Sequence, residues 1–589
     1  MKAYLLLAVL IIFFSAIKVN AQEYRMSFNI LNAKTGAGVE NAEIAIEPCK
    51  CGGVSDEQGR FSINLPKANY RVTVTYIGFG SEVRQVELQE NVSLDIRLVE
   101  KHEELSEVIV RAKKRDEMLN LPQMGVVSLT PKELKMIPSA AGESDVLHSM
   151  VLLPGVNNAG EISNGLSIRG GSLDQNLILY DYAPIFNPTH LFGLFSVFTP
   201  DAISSTELYR ANIPSRYGGR ATSVLDLKVK NPYVDKLKLS GGIGLVSSRL
   251  NVETPLIKDK LMLLAGARAG FTDFLLPIFS ERLKNTKAKF YDSTLKLLYL
   301  ASEKDQISLT GFISNDFYQL DLVTQIQNVN AESNQYDFST LNGTLNWSHT
   351  FSNNANIRTV LLASDYTPKI IFPERDIDNE IVYKSKINYL SLISEYSKNV
   401  SVDLDYYIGV QANRYTISPG ALDPGTSDIL PISLEKETSY EFDGYSNVDW
   451  TPLEKLSLSG GLRFSHFVLV GPYTQYFFDE FTREPLGFTE FAKGAGVKTY
   501  NGVEPRLGLN FKLGETASLK LSYARLNQYL QNIYNSTTPV PTSRWKTADP
   551  YVQPQRSDSY GLGLYKNLRN NELEIALEGY YRKAQNTLT

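Results

Sequence analysis

From residue 236 to the end of the chain, apolar and polar residues alternate in one segment after another. Leu237, Leu239, Gly241, Ile243 and Leu245 share one face, as do Leu261, Leu263, Ala265, Ala267, Ala269 and Phe271. Val402, Leu404, Tyr406, Ile408, Val410 and Ala412 alternate with Asp403, Asp405, Tyr407, Gly409, Gln411 and Asn413. Leu456 to Phe464, Leu507 to Leu513 and Leu573 to Tyr581 repeat the theme. A period of two is the signature of strands with one apolar face. About 15 such segments occur, many roughly ten residues long, which suits tilted membrane strands; strands of soluble sandwiches are usually about five or six residues. The pattern predicts an antiparallel β-barrel over 233–589, with the polar positions facing a wet lumen and Tyr and Phe near segment ends forming interfacial girdles. Tight turns are expected at Asn399 and at Gly514-Glu515-Thr516, against long loops at 272–291, 470–502 and 526–556.

Upstream the pattern changes three times. Leu5 to Ile17 is an apolar run behind Met1-Lys2, and Val19-Asn20-Ala21 places small residues for cleavage, so 1–21 read as a secretory signal. Over 22–100, short alternating runs such as Phe61, Ile63, Leu65 and Tyr70, Val72, Val74, Tyr76 are separated by Gly-rich turns. This predicts an Ig-like β-sandwich of about seven strands. Cys49-Lys50-Cys51 falls in a turn there. A bridge between residues so close is strained, and a lone CxC lacks further metal ligands, so the pair is read as structurally minor. Residues 101–114 form a charged linker around one β-prone hexapeptide, Leu105-Ser106-Glu107-Val108-Ile109-Val110. Such a segment suits capture by strand addition, or else it is the last strand of the preceding domain. Residues 115–232 read as mixed α/β. Pro131 and either Glu143 or Ser144 mark helix starts, and strands flank the Gly170-Gly171 bend, where positive φ is expected.

Composition adds exclusions. With 59 Lys+Arg against 64 Asp+Glu, the chain is not a polycation and no nucleic-acid partner is expected. Two cysteines provide no disulfide framework, and five histidines never fall at metal-ligand spacing, so neither metal nor cofactor is expected. Thirty-three Tyr and 27 Phe against 3 Trp fit a β-rich surface or membrane protein. No GxSxG, HExxH or Cys-His arrangement is present, so catalytic residues are not expected.

Two sets of motifs carry a family resemblance. Gly38-Val39-Glu40-Asn41-Ala42, Ser55-Asp56-Glu57-Gln58-Gly59-Arg60-Phe61 and Tyr76-Ile77-Gly78-Phe79 resemble the carboxypeptidase regulatory-like domain, with Ser55 where that module usually has Thr. Ser167-Ile168-Arg169-Gly170-Gly171, Asp181, Asn187-Pro188 and Arg216-Tyr217-Gly218-Gly219-Arg220 stand in the order of the plug domain of TonB-dependent receptors. In that context 105–110 resembles a TonB box, and Glu504-Pro505-Arg506 resembles a recurring barrel segment of the family; separately, a barrel carboxylate is expected to face Arg169, Arg216 or Arg220, since an unpaired charge in the lumen is expensive.

The resemblance implies a bacterial outer-membrane receptor that binds a scarce nutrient (siderophore, cobalamin, glycan or peptide). It implies import into the periplasm with energy from the inner-membrane proton gradient, delivered by TonB with its ExbB–ExbD motor. Expected partners are that complex, outer-membrane lipid, the small ligand and, where one exists, a surface lipoprotein. Ligand is expected at the plug apex around 181–196 and at Tyr473, Tyr476, Phe477, Phe478 and Phe481 of the long aromatic loop. A surface binding or adhesion protein without transport is the alternative. Family barrels have 22 strands, so about 15 segments and a last strand ending near Thr589 suggest a sequence lacking C-terminal strands.

Overall fold

The computed structural model describes residues 23–99 and 119–588, apart from 34–35, 50, 77–78, 80, 120–121, 138–143, 159–164, 272–285, 320–324, 327–328, 331–332, 352–353, 376, 402, 480, 483, 534–543 and 570–572. The signal segment and the hexapeptide 105–110 lie outside these residues. The chain divides into two compact units, Met1–Asp116 and Glu117–Thr589.

In the first unit two sheets form a sandwich. Arg60–Pro66, Glu23–Asn32 and Val92–Leu98 make one sheet, in which Val92–Leu98 runs parallel to Glu23–Asn32. Cys51–Val54, Glu43–Glu47, Ala68–Thr75 and Glu82–Leu88 make the other. Of the alternation read in the sequence, Ile63, Leu65, Tyr70, Val72 and Val74 are buried while Phe61 and Tyr76 are partly exposed, and Met26, Phe28, Ile30, Ile44, Leu88 and Leu98 complete the core. The motif residues shape one corner. The Ser55 hydroxyl accepts from the Ala42 amide at 2.8 Å and donates to the Val39 carbonyl at 2.5 Å. Asp56 caps the amides of Gln58 and Arg60 at 2.9 and 2.8 Å. At Gly59, φ is +78° and a Cβ would lie 2.2 Å from the Ile30 carbonyl oxygen, so only glycine fits. Cys49 and Cys51 are joined in a disulfide, and Cys51 opens a strand instead of lying in a turn.

The second unit is a large curved sheet wrapped around a small inner domain. In the inner domain, Ala183–Pro184, Asn176–Tyr180, Ser223–Val229, Ile203–Tyr209 and Val126–Leu129 pair in that order, with Val126–Leu129 at one edge. Two short helices pack on this sheet. Pro131–Met136 starts from a Thr130/Glu133 capping box and Val146–Val151 from Asp145, not from Glu143 or Ser144. The bend after Leu166–Ile168 has positive φ at Arg169 and Gly170, whereas Gly171 is ordinary. Gly171 is needed for space: a Cβ would sit 2.5 Å from the Thr222 hydroxyl.

The large sheet runs through fifteen consecutive antiparallel strands, from Lys238–Ile243 to Leu573–Gln585, with Ile432–Ser433 as a short side branch. No pairing joins its two end strands among the described residues. Individual strands reach 22 residues in Glu380–Ser401, well beyond the ten or so expected. They are longer because they continue past the apolar belt on one side. Connections on the other side are short, as at 258–260, 301–304, 454–455 and 515–516. Asn399 lies within Glu380–Ser401, and the next strand starts at Leu404. The 470–502 excursion contracts to a hairpin, Tyr473–Phe478 with Pro485–Phe491, before the next strand starts at Gly496.

The belt can be read strand by strand. On Glu437–Leu453 the outward residues run Tyr440, Phe442, Gly444, Ser446, Val448, Trp450. Tyr440 to Trp450 covers about 34 Å of strand, or about 26 Å of height at a tilt near 40°, matching the apolar band of outer-membrane barrels. Leu341, Leu345 and Trp347, then Leu390 and Leu392, then Ile408 and Val410, expose apolar side chains in the same band.

Candidate functional site

The site of interest is the lumen, where the wall grips the inner domain. Alternation places a polar or charged side chain on the inward face of nearly every wall strand, and a buried charge needs a partner. The densest contact surrounds the inner-domain loop Pro214–Arg220. From the wall, Arg506 donates to the carbonyls of Ile213 (3.2 Å) and Pro214. Arg463 donates to the carbonyls of Ser215 (3.3 Å) and Arg216 (3.0 Å). Each guanidinium is neutralised by a neighbouring wall strand or its own: Arg463 pairs with Asp443 at 2.7 Å and Arg506 with Glu504 at 2.9 Å. Glu441 accepts from Tyr415 at 2.9 Å beside them. Ser215 donates to the Ser446 carbonyl at 2.8 Å. The loop answers with its own cations. Arg216 meets Glu395 at 3.3 Å and lies 4.2 Å over the Tyr407 ring; Arg220 donates to the Leu530 carbonyl at 3.2 Å and lies 5.3 Å over Trp545. Tyr217 donates to Asp226 at 2.7 Å inside the inner domain.

Glycine is required at one of these positions for contact. A Cβ at Gly218 would lie 2.3 Å from Arg463 Nε. Gly219 has φ +77° and only the Tyr415 hydroxyl, at 3.9 Å, near its Cβ direction. We expect Gly218→Ala to push the Arg463 guanidinium off the loop and cost about 1–3 kcal/mol; increased protease access at 213–220 checks it, and unchanged access would refute it.

A second knot joins the crown of the inner domain to the wall. His190 is fully buried, with Nδ1 at 2.9 Å from Asp316 and Nε2 at 3.2 Å from Asp292, and its ring stacks 4.3 Å from Phe290. Asp292 also receives Arg268 Nε at 2.7 Å and Thr199 Oγ1 at 2.8 Å. Tyr318 donates to Asp316 at 2.7 Å and accepts from the Leu191 amide at 2.7 Å. Burial alone would lower the His190 pKa, but Asp316 and Asp292 together raise it above its usual value, which favours the form in which both ring nitrogens donate.

The remaining inner-domain motif residues lie elsewhere. Asp181 and Tyr182 both have positive φ and form the two-residue turn between Asn176–Tyr180 and Ala183–Pro184. Asp181 accepts from Lys296 at 3.0 Å and from Thr310. Burial pushes its pKa up, but Lys296 and Thr310 outweigh that and hold it below the usual carboxylate range. Lys296 and Thr310 stand near the short-turn ends of their strands, so this turn is not at the apex. Leu191 and Phe195 are under the loops, packed with Phe290, Tyr318 and Phe338. Arg169 binds Glu578 at 2.9 Å, and Arg582 donates to the Gly170 carbonyl at 3.0 Å.

On the loop side, Tyr473 is buried and donates to Asp549 at 3.1 Å. Tyr476, Phe477 and Phe478 are about half exposed, and Phe481 is 92% exposed at the hairpin tip. The sequence reading missed Arg463, Asp443, Glu395, Glu578 and the His190 knot. The available signal was charge at inward positions of otherwise regular strands, such as Arg463 between Leu462 and Phe464; the partners become visible only through register.

Comparison with known proteins agrees with this architecture. Residues 282–589 match the family model "TonB dependent receptor-like, beta-barrel", residues 126–224 match "TonB-dependent Receptor Plug Domain", and residues 28–110 match "CarboxypepD_reg-like domain". No curated protein sequence matches the chain. Among solved structures, the copper transporter OprC is 12% identical with a TM-score of 0.57, covering 78% of this chain and 73% of its own. The siderophore receptor PirA from Acinetobacter baumannii is 16% identical with a TM-score of 0.55, covering 79% and 71%. The ferric enterobactin receptor PfeA from Pseudomonas aeruginosa gives the same identity, TM-score and coverage. At these identities the likeness is one of fold. With the barrel model alone spanning more than half of the residues, and an inner domain of the matching kind seated in the lumen, the chain belongs to the TonB-dependent receptors, plugged β-barrels of the bacterial outer membrane that import nutrients.

Proposed function

We propose that this receptor imports a small, scarce nutrient of the siderophore, cobalamin, glycan or peptide kind, and that TonB, energised through ExbB–ExbD, engages residues 105–110 to drive it. The observation that supports this reading is the clasp around Pro214–Arg220. A loop held by buried, paired charges does not leave the wall spontaneously, because separating such pairs leaves uncompensated buried charge. Opening a path past it therefore calls for work from outside the molecule. OprC is named for copper, PirA for a siderophore and PfeA for ferric enterobactin; the ligand here follows the lining of the loop side, where Phe186, Tyr366 and Trp545 gather.

A paired experiment tests the reading. A Cβ at Gly461 would lie 3.0 Å from the Ser215 Cβ, about half an ångström inside the shortest usual disulfide spacing, so a small shift of the loop lets the two positions be bridged. In Ser215→Cys/Gly461→Cys cells, uptake of labelled ligand is expected to stop while the bridge is oxidised and to return on reduction. Deleting 105–110 is expected to leave surface binding intact and abolish uptake. Uptake that persists with the bridge formed would rule out displacement of this loop. Uptake that persists without 105–110 would rule out the energy coupling.

A further inference from the structure

The sandwich unit carries a bridge that its fold does not need. Cys49 and Cys51 are bonded with a single residue between them, their Cα atoms 5.2 Å apart. They stand at the head of the hairpin made by Glu43–Glu47 and Cys51–Val54, whose ladder runs from Glu43↔Val54 to Ile46↔Cys51. Glu43–Glu47 is also paired along its other side with Ala68–Thr75. The ladder thus holds the two strands together without the bridge. A disulfide stabilises chiefly by closing a loop in the unfolded chain, and it does least for the shortest loops. The bridge therefore joins residues that the hairpin already keeps side by side.

The two sulfurs differ in access. Cys51 is 5% exposed, whereas Cys49 is half-buried and follows Glu47 and Pro48, both exposed. Cys51–Val54 is an edge strand, so no further strand shields this end of the sheet. Cys49 Sγ lies 3.3 Å from the Ile46 carbonyl oxygen. A thiol released at Cys49 has an acceptor already in place. Exchange between a thiol and a disulfide calls for one reachable sulfur and a place for the thiol that leaves. This hairpin supplies both.

We propose that Cys49–Cys51 is a redox-exchange site whose co-substrate is an external thiol. A thiolate attacks Cys49 Sγ, a mixed disulfide forms there, and the Cys49–Cys51 bond breaks with its electron pair leaving on Cys51 Sγ, which takes a proton from water. A second thiolate attacks the external sulfur of the mixed disulfide. Cys49 then leaves as thiolate, is protonated and donates to the Ile46 carbonyl. Two external thiols are oxidised to one disulfide, and the bridge is reduced to two thiols. The thiols come either from a small monothiol of the glutathione kind or from a protein with paired cysteines. The site lies wholly within the first unit and is independent of what the receptor imports.

The test uses the full chain purified in mild detergent, with thiols counted by mass after alkylation with N-ethylmaleimide. The chain has two cysteines in all, so every alkylated thiol reports this bridge. The folded wild type is expected to open by more than half in millimolar reduced glutathione or with reduced thioredoxin, conditions in which structural disulfides stay closed to glutathione. Opening by glutathione assigns a small thiol; opening by thioredoxin alone assigns a protein dithiol. A bridge that stays closed to both overturns the site. Limited proteolysis of 23–99 is expected to be unchanged on opening; loss of the sandwich would show that the bridge is structural and would also overturn the site. The attacked sulfur is read separately with oxidised glutathione. Cys51→Ser is expected to take up glutathione at Cys49 at least about tenfold faster than Cys49→Ser takes it up at Cys51. Equal rates in the two folded variants would remove Cys49 from its role. If either variant does not fold, the wild-type count alone decides.

Discussion

Replacing Arg463 with methionine is expected to free the plug loop 213–220 from the barrel wall. Arg463 is 1% exposed. Its guanidinium holds Asp443 at 2.7 Å and Gln411 at 2.8 Å, and supplies the donors for two carbonyls of the loop. Methionine fills much of the volume but leaves Asp443 as a buried charge beside Glu441 and Glu504, with one cation fewer among them. Breaking a buried pair in this way costs about 3–5 kcal/mol. Hydrogen exchange at 213–220 is therefore expected to accelerate by at least about a hundredfold, since each 1.4 kcal/mol is tenfold. Adding Asp443→Asn removes the stranded charge and is expected to recover much of the loss. Exchange unchanged in the single variant would mean that the clasp does not hold the loop.

Raising the pH is expected to loosen the plug crown at 189–196. His190 has a pKa above its ordinary value, so its contribution to docking is complete below about 6.5 and fades as pH rises through the higher folded-state value. Neutral imidazole has one N–H, so it can satisfy only one of Asp292 and Asp316 and turns a lone pair toward the other. Arg268 and Thr199 remain on Asp292, and Tyr318 on Asp316, which limits the loss to the His190 contacts. With each rate divided by the base-catalysed intrinsic rate at the same pH, the protection of amides 189–196 should fall in the wild type from pH 6 to pH 10 and stay level in His190→Gln. Asp292→Ala should be far worse at every pH, by about 3–5 kcal/mol, because it strands Arg268 as well. A flat wild-type profile would show that His190 does not titrate in this range.

These two sites show how much of the molecule could be read in advance. The barrel was legible because its signal is repetitive: each strand presents the same two-faced pattern to the same two solvents. The plug was legible from Arg169-Gly170-Gly171 and Arg216 to Arg220, where backbone conformation and close approach restrict the residue type. Which inward charges meet was not legible. Arg463 and Asp443 become neighbours only because Ser465 pairs with Asp443 and Gln411 lies opposite Asp443 on the other side, a matter of register across three strands. Asp292, Asp316 and His190 are likewise brought together by pairing and not by spacing. The ends of the strands were misjudged for a different reason. Past the belt the outward face turns polar, so alternation no longer marks a strand that continues, as in Glu380–Ser401.

The edge position of Val126–Leu129 in the plug sheet has a mechanical meaning. Among the described residues it is the first strand of the plug after the linker, and its one strand partner is Ile203–Tyr209. A load arriving along the chain from upstream meets the Leu119 and Gln123 carbonyls, held by Asn510 at 2.7 Å and Lys520 at 3.2 Å, and then this four-residue strand. Ser223–Val229, paired on both sides at the centre of the sheet, feels the strain last. A force transmitted along the chain would therefore be met first at the rim of the plug sheet and last at its centre.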